Sequence, residues 1–371
     1  MYQPSDPNTS FSTNLASLVS VISTIDIEND PYVISLRSQL ATLGRESFEF
    51  NRIDQKLSKV VNKEDSFTHK GLRDFQRAAE DICQDIGAWA ADWFVWKVVE
   101  RAKDATNPFN NMMVTWKRTE KAYLLSILNQ VIAVPASYYP DDIADDLADK
   151  VEVLIDCLLM EKGEAESLDE TYSVIIFVQR RDTVLALAEV LNHHPLTKDV
   201  FRIGVLLGTS ESKHRHSMMD ITRILLRDPQ DETIADFKTG DKNLIVSTSV
   251  AEEGIDIQAC GSVIRWDPPM NMASWVQSRG RARKERSSFT VMFEKGSAHQ
   301  ASVAKWEDLE RQMVALYNNP SRQPAPVPEE VDVDEDMEDN DMEFQVESTG
   351  YVFCLLRCSA QRLISQRTGL C

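Results

Sequence analysis

The chain has 371 residues and a formal net charge of −19; that length points to two or three domains, and the acidity argues against a simple nucleic-acid binder, whose phosphate contacts come from Lys and Arg. Six cysteines, Cys83, Cys157, Cys260, Cys354, Cys358 and Cys371, are scattered without CxxC pairs. This argues against a zinc framework or secreted disulfides and favours a reducing intracellular compartment, cytoplasmic or nuclear.

Residues 1–29 lack a basic stretch followed by a long apolar run, and no segment reaches the roughly 18 uncharged residues of a membrane span. A membrane is therefore not an expected partner. From 30 to 162 the apolar period is helical, which predicts an all-helical domain. Asp30 stands as an N-cap with Pro31 at the first helical position. Leu72, Phe75, Ala79, Ile82, Ile86, Trp89, Trp93, Trp96 and Val99 step by three or four along one long stripe. Trp116, Tyr123, Ile127, Leu128 and Val131 make another face. Ile143, Leu147, Val151, Leu154 and Leu158 make a further one, capped near Asp141 after Pro140. Tryptophans at helical spacing suggest a base-stacking platform, but core is the better expectation. His193, His194, His214 and His216 stand without Cys or acidic partners at ligand spacing and are expected on a solvated surface, with no metal site.

Beyond Asp169 the pattern changes. TYSVIIFVQ, FRIGVLLG, KNLIVST, GSVIRW and SSFTVMF are short apolar runs rich in Val and Ile, as in strands covered on both faces. They alternate with the helical stretches RDTVLALAEVLNHH, ETIADFKTG and NMASWVQSRGRAR. The pattern predicts an α/β parallel sheet over 163–320, with its ligand edge at the carboxyl ends of the strands, where the AEEGID turn is expected. A further amphipathic helix with Ala304, Leu309, Met313 and Leu316 on one face follows. Residues 321–345 form a Pro-rich and then acidic linker, disordered by composition. Pro328 to Phe344 alone holds ten carboxylates and no base, about half of the net imbalance. Residues 346–371 are too short to fold alone.

Two clusters carry chemistry. TSVAEEGIDI, Thr248 to Ile257, places Glu252, Glu253 and Asp256 around Gly254 between two buried strands. QSRGRARKER, Gln277 to Arg286, has five bases within eight residues; Arg forks suit phosphate oxygens, and Gly280 lets a backbone approach a ligand closely.

Taken in order, IIFVQRR, NLIVSTSVAEEGIDI and WVQSRGRARK resemble motifs IV, V and VI in the second RecA-like domain of superfamily 2 helicases. The AEEGIDI and QSRGRAR wordings resemble the subgroup of Dicer and the innate immune RNA sensors, whose second RecA-like domain carries an all-helical insertion such as 30–162. GLRDFQRAAEDICQDIGAWAADWF and ACGSVIRWDPPMNMASWVQSRGRARKERS are similar to fungal Dicer-like proteins, particularly the second type, and the resemblance covers roughly 20–320.

By resemblance, Gln179, Gly208, Thr209, Thr248 and Ser249 would lie against the RNA backbone. Gly254 would shape the turn and Asp256 would bond the ribose of ATP. Gln277 and Gly280 would lie in the nucleotide cleft. Arg279 and Arg281, with Arg283 as a third, would reach the β- and γ-phosphates as arginine fingers. Glu252 and Glu253 would tie the turn to bases such as Arg279. The implied partners are double-stranded RNA, a first RecA-like domain and other silencing proteins. The implied cofactor is ATP with Mg²⁺ in the full-length protein, none being held by this chain alone.

Neither GxxxxGK[ST] nor DExH occurs in this sequence, and the paired ribonuclease III regions of a Dicer are missing as well. The chain is thus expected to be a piece of a Dicer-like ribonuclease that acts in RNA silencing and antiviral defence. Residues 346–371 would begin the following domain or be an artefactual tail. Alone, the piece would bind RNA weakly and not hydrolyse ATP. A non-catalytic RNA-binding or interaction module and a repair helicase acting on branched DNA stay open as alternatives.

Overall fold

The computed structural model describes residues 12–107, 113–208, 217–220, 230–248, 260–282, 286–294, 297–317, 343–346 and 351–359, the last two stretches by backbone alone. The chain divides into two compact units. One is Met1–Val151 with Arg181–Val200 and Thr209–Asp228; the other is Glu152–Arg180 with Phe201–Gly208 and Pro229–Cys371.

The first unit is built on α1 (Thr13–Ser23), α2 (Pro31–Thr42), α3 (Phe48–Lys63), α4 (Phe67–Asp85), α5 (Ala88–Thr106), α6 (Arg118–Leu128), α7 (Pro140–Ala144), the start of α8 (Asp149–Ser167), and α9 (Arg181–His193). Ser12, Asp30, Ser47 and Ser66 each accept a first-turn N–H, from Leu15, Tyr32, Phe50 and His69. These bonds satisfy donors that a helix start leaves orphaned. Asp30 is used twice, because its second carboxylate oxygen accepts the Ser66 hydroxyl at 2.6 Å and so ties two helix starts together. Asp92 of α5 accepts the Asn14 N–H at 2.8 Å, which draws α1 onto the bundle and buries Leu15 and Leu18. The helical unit thus begins at α1, upstream of residue 30.

Two of the expected faces are each broken, and by the same contact. The stripe from Leu72 to Val99 is two helices, α4 and α5, because the backbone at Gly87 has φ 134°. A β-carbon there would stand 2.0 Å from the Asp146 carbonyl oxygen. Around it, the Ala88 N–H donates to Asp146 O at 3.2 Å and the Ala148 N–H to Ile86 O at 2.8 Å. That bridge also interrupts the face from Ile143 to Leu158, splitting it into α7 and α8. Trp89 and Trp93 are core, as expected; Trp96 is half-buried, with the Lys97 ammonium 3.8 Å from its ring centre.

The histidine expectation needs correction. His194 is buried, its Nδ1 accepting the Leu196 N–H at 3.3 Å. His193 packs on Tyr138, ring centres 4.5 Å apart. His193 is the last residue of α9 and stays half-exposed, whereas His194, one residue on, turns into the fold. His214 and His216 lie outside the described residues.

The second unit holds β1 (Val174–Phe177), β2 (Ile203–Leu206), α10 (Gln230–Thr239), β3 (Leu244–Ser247), β4 (Ser262–Arg265), α11 (Met272–Arg279), β5 (Arg286–Glu294), α12 (Ala298–Tyr317), β6 (Glu343–Val346) and β7 (Tyr351–Ser359). The sheet runs β2-β3-β1-β4-β5-β7-β6; the first five strands are parallel, and β7 and β6 add antiparallel. This is the α/β parallel sheet that the strand runs predict, extended by an antiparallel pair. Ile175, Phe177, Ile245, Val263, Phe289 and Val291 face one side, packed on Phe237 of α10, Trp275 of α11 and Val303 of α12. The stretch expected to be too short to fold alone instead supplies a strand, Tyr351–Ser359, paired along all of β5. Its backbone groups find partners on an existing edge, so no separate core is needed. Most of the acidic run, 328–342, lies outside the described residues. No helix among the described residues is long and apolar enough to cross a membrane.

On the other face, α8 places Glu161, only 7% exposed, against the amino ends of the strands. Its carboxylate accepts the hydroxyls of Ser262 at 2.5 Å, Ser288 at 2.7 Å and Tyr172 at 2.9 Å. Burial raises its pKa, and the three hydroxyls oppose the shift only in part. A raised folded pKa means that the folded state binds the extra proton.

Stability of this unit is therefore expected to fall as pH rises from about 4.3, the ordinary Glu value, through the raised one. In Glu161→Gln that part of the slope should vanish, measured by urea midpoints across pH. In the helical unit, Gly87→Ala should cost about 2–4 kcal/mol. Gly163→Ala, in open space within α8, should be neutral or stabilise by up to about 1 kcal/mol. Equal effects from the two glycines would refute the account of Gly87.

Candidate functional site

Because the five strands run parallel in register, whatever follows each strand emerges on one edge. Three of the sequence-predicted residues meet there. Gln179 follows β1; its N–H donates to the Asp267 carboxylate at 2.7 Å and its side-chain amide to Pro268 O at 3.0 Å, fixing it to the turn after β4. Gly208 follows β2, and Thr248 follows β3. The Gly208 N–H donates to the Thr248 hydroxyl oxygen at 3.1 Å, while the Thr248 N–H donates to Leu206 O at 3.1 Å. Thr248 is buried, Gly208 half-buried and Gln179 exposed. An acceptor brought to this edge would meet a side-chain amide and a hydroxyl on a rigid frame. Thr209 and Ser249 lie outside the described residues.

The second predicted set is elsewhere. α11 leaves the carboxyl edge capped by Asn271, which accepts the Ser274 N–H at 2.9 Å. Its far end reaches the opposite edge. There Ala282 pairs with Cys260 in a parallel bridge, the Cys260 N–H donating to Arg281 O at 3.3 Å. Gln277, Gly280 and Arg281 therefore stand at the amino side of β4, not on the carboxyl edge where the sequence pattern alone places ligands. Gly254, Asp256, Glu252, Glu253 and Arg283 lie outside the described residues; Asp256 is four residues before Cys260 along the chain.

What can bind at this end follows from the helix. The Gly280 N–H donates to Val276 O at 2.8 Å, the Arg281 N–H to Ser278 O at 3.0 Å and the Ala282 N–H to Arg279 O at 3.1 Å. The backbone donors are thus already used, and a helix C-terminus carries partial negative charge. An anion here would be held by guanidinium groups rather than by the helix itself. Gly280 has φ −64° and ψ −4°, open to any residue, so backbone conformation does not account for a glycine.

Arg279 is committed within the fold. Its guanidinium donates to Glu310 of α12 at 2.6 Å, and the same oxygen accepts the Trp275 indole N–H at 2.9 Å. Among the described residues its carboxylate partner is Glu310, from a helix outside the motif; Glu252 and Glu253 lie outside the described residues. Arg281 is half-buried. Sequence motifs give no sign of Glu310 or Asp267, because both act through partners distant in the chain. Glu161 did leave a signal: it continues the apolar helical face of Leu154 and Leu158. Among the described residues no group of three or more His, Cys, Asp or Glu could hold a metal.

Residues 149–285 match the helicase conserved C-terminal domain. The chain is 34% identical over 349 residues to Dicer-like protein 2 of Aspergillus terreus, covering 94% of this chain and 24% of that protein. It is 34% identical to Dicer-like protein 2 of Neosartorya fischeri, covering 95% and 24%, and 30% identical to that of Cryphonectria parasitica, covering 92% and 22%. The chain thus spans about a quarter of the length of these relatives. Among solved structures, the Pyrococcus furiosus Hef helicase domain is similar at 16% identity and a TM-score of 0.35, over 80% of this chain and 56% of that one. That likeness is too loose to bear on function.

The Glu310 node makes a measurable claim. Glu310→Ala removes an acceptor shared by an indole and a guanidinium and should cost about 1–3 kcal/mol. In a double-mutant cycle with Arg279→Ala the two changes should be non-additive by more than about 0.5 kcal/mol. Full additivity would mean that Arg279 is not engaged there in solution.

Proposed function

We propose that this chain, a homologue of part of Dicer-like protein 2 with a helicase conserved C-terminal domain, is the second-motor portion of an ATP-dependent helicase or translocase on double-stranded RNA. It would belong to a Dicer-like ribonuclease acting in RNA silencing and antiviral defence. The observation that carries this reading is the division of the candidate residues between two edges of one sheet. A motor that couples ATP to movement along a strand has to hold nucleotide and nucleic acid at separate places on one rigid body.

On the carboxyl edge Gln179, Gly208 and Thr248, with Thr209 and Ser249, would meet the RNA backbone. The Thr248 hydroxyl accepts from Gly208 and keeps its own proton to donate to a phosphate oxygen. On the amino side Arg281, with Gln277 and Gly280, would meet the phosphates of ATP; Arg283 would be a further phosphate contact, Gly254 would shape its turn and Asp256 would bond the ribose. ATP supplies the transferring phosphoryl group when bound. The part of these residues is to offset the charge on it when a first motor domain closes over the nucleotide. Mg²⁺ is assigned to that first domain. Arg279 has a different part: its bond to Glu310 holds α11, so it orients the segment rather than reaching the nucleotide.

The test uses a protein in which a first motor domain precedes this chain. Duplex RNA should stimulate its ATPase more than duplex DNA at equal salt, since A-form recognition uses the 2′-hydroxyls. Arg281→Ala should lower kcat by about 10³–10⁵ with the KM for RNA little changed. Thr248→Ala should raise the KM for RNA. Equal stimulation by DNA would favour a branched-DNA helicase, and RNA binding without any ATPase would favour a non-catalytic module.

A further inference from the structure

The sheet positions that flank the proposed nucleotide contacts on the amino side lie near one buried carboxylate. Cys260, where the stretch carrying Gly254 and Asp256 returns to the sheet, is two residues before Ser262. The stretch carrying Arg283 and Lys284 leaves from Ala282, bridged to Cys260, and re-enters at Arg286, two residues before Ser288. Ser262 and Ser288 donate to the two different oxygens of Glu161. Tyr172 donates beside Ser262, and its neighbour Ser173 accepts the N–H groups of Gly261 and Ser262 at 3.0 Å each. The Ser288 N–H donates to Gly261 O at 2.9 Å, closing the ring of contacts.

A single side chain on α8 therefore grips β4 and β5 at the ends where both candidate nucleotide-binding segments are anchored. The groups acting on it are three hydroxyls and the neighbouring Glu164 carboxylate. Burying a carboxylate is costly unless its hydrogen-bonding capacity is filled. A core that needed only cohesion would be served at least as well by an apolar residue here. What the carboxylate adds is direction: two serine hydroxyls drawn to fixed points one strand apart.

We propose that Glu161 is a positioning residue for Arg281, holding the amino ends of β4 and β5 in the register that fixes the Cys260–Ala282 bridge beside it. This rests on the nucleotide reading above. A static brace of this kind acts on geometry, and displacement of a reacting group by about 1 Å costs on the order of 10²-fold in rate.

The test has two arms. In the chain itself, amide exchange in Glu161→Ala should quicken about tenfold or more at residues 260–262 and 286–288, with β2 and β3 unchanged. Glu161→Gln, which keeps the shape and an acceptor, should restore most of the protection. Phe237→Leu, a core change in α10, serves as the stability-matched control and should loosen no edge selectively. In the protein with a first motor domain, Glu161→Ala should lower kcat by about 10²-fold and leave the KM for RNA unchanged. Uniform acceleration of exchange across all strands, or unchanged exchange at the two serines, overturns the proposal. So does selective loosening with full kcat. If the protein with Glu161 intact shows no ATPase, the motor reading falls by itself, and the exchange arm still decides whether Glu161 holds this edge.

Discussion

Parallel register of the central strand with its two neighbours is the constraint on which the rest depends. Val174 to Phe177 align with Leu244 to Ser247 on one side and with Ser262 to Arg265 on the other. Parallel strands cannot be joined by hairpins, so each must be followed by a crossover that carries the chain back to the starting edge. Among the five parallel strands every exit therefore falls on one edge and every re-entry on the other. Gln179, Gly208 and Thr248 are exits, whereas Cys260 and Ala282 belong to re-entries. The separation of these two sets of residues is a consequence of this topology and needs no special device.

Each edge is then held by polar bonds rather than by packing alone. At the exits, Asp267 and the Thr248 hydroxyl fasten backbone N–H groups that no ladder partner reaches. At the re-entries, Glu161 gathers three hydroxyls. Between them α11 is kept in place by Glu310, which takes Trp275 and Arg279 with one oxygen. A half-buried guanidinium loses much hydration, and an anchored carboxylate compensates for that loss. The arginine-rich string is thus not uniform: Arg279 is tied to α12, whereas Arg281 has its backbone carbonyl in the bridge to Cys260.

The helical unit shows the same economy at Gly87. One residue in a left-handed conformation breaks two apolar faces at once, because the chain returning at Asp146–Ala148 occupies the place a β-carbon would need. The tryptophans that could have formed a stacking surface are spent on this core. Trp89 also donates to Ser137 O at 2.6 Å, which fixes the extended segment beyond α6.

Local sequence was sufficient for features whose cause is local. The five buried strands, the Asp30 cap with Pro31, the amphipathic stripes and the order of the three motifs are all legible, since periodicity and capping act over a few residues. The candidate residues Gln179, Thr248 and Arg281 were legible as types in a pattern. Which edge each occupies was not, because that depends on crossovers closing over long separations. The breaks at Gly87 and after α7 look like continuous helix until the Asp146 carbonyl arrives from some sixty residues away. Arg279 reads like Arg281 in the string, and only α12, folding back with Glu310, separates them. Glu161 looks like a stray charge on an apolar face until three hydroxyls converge on it. Burial and partner identity are properties of the closed fold, and tertiary structure alone could decide them.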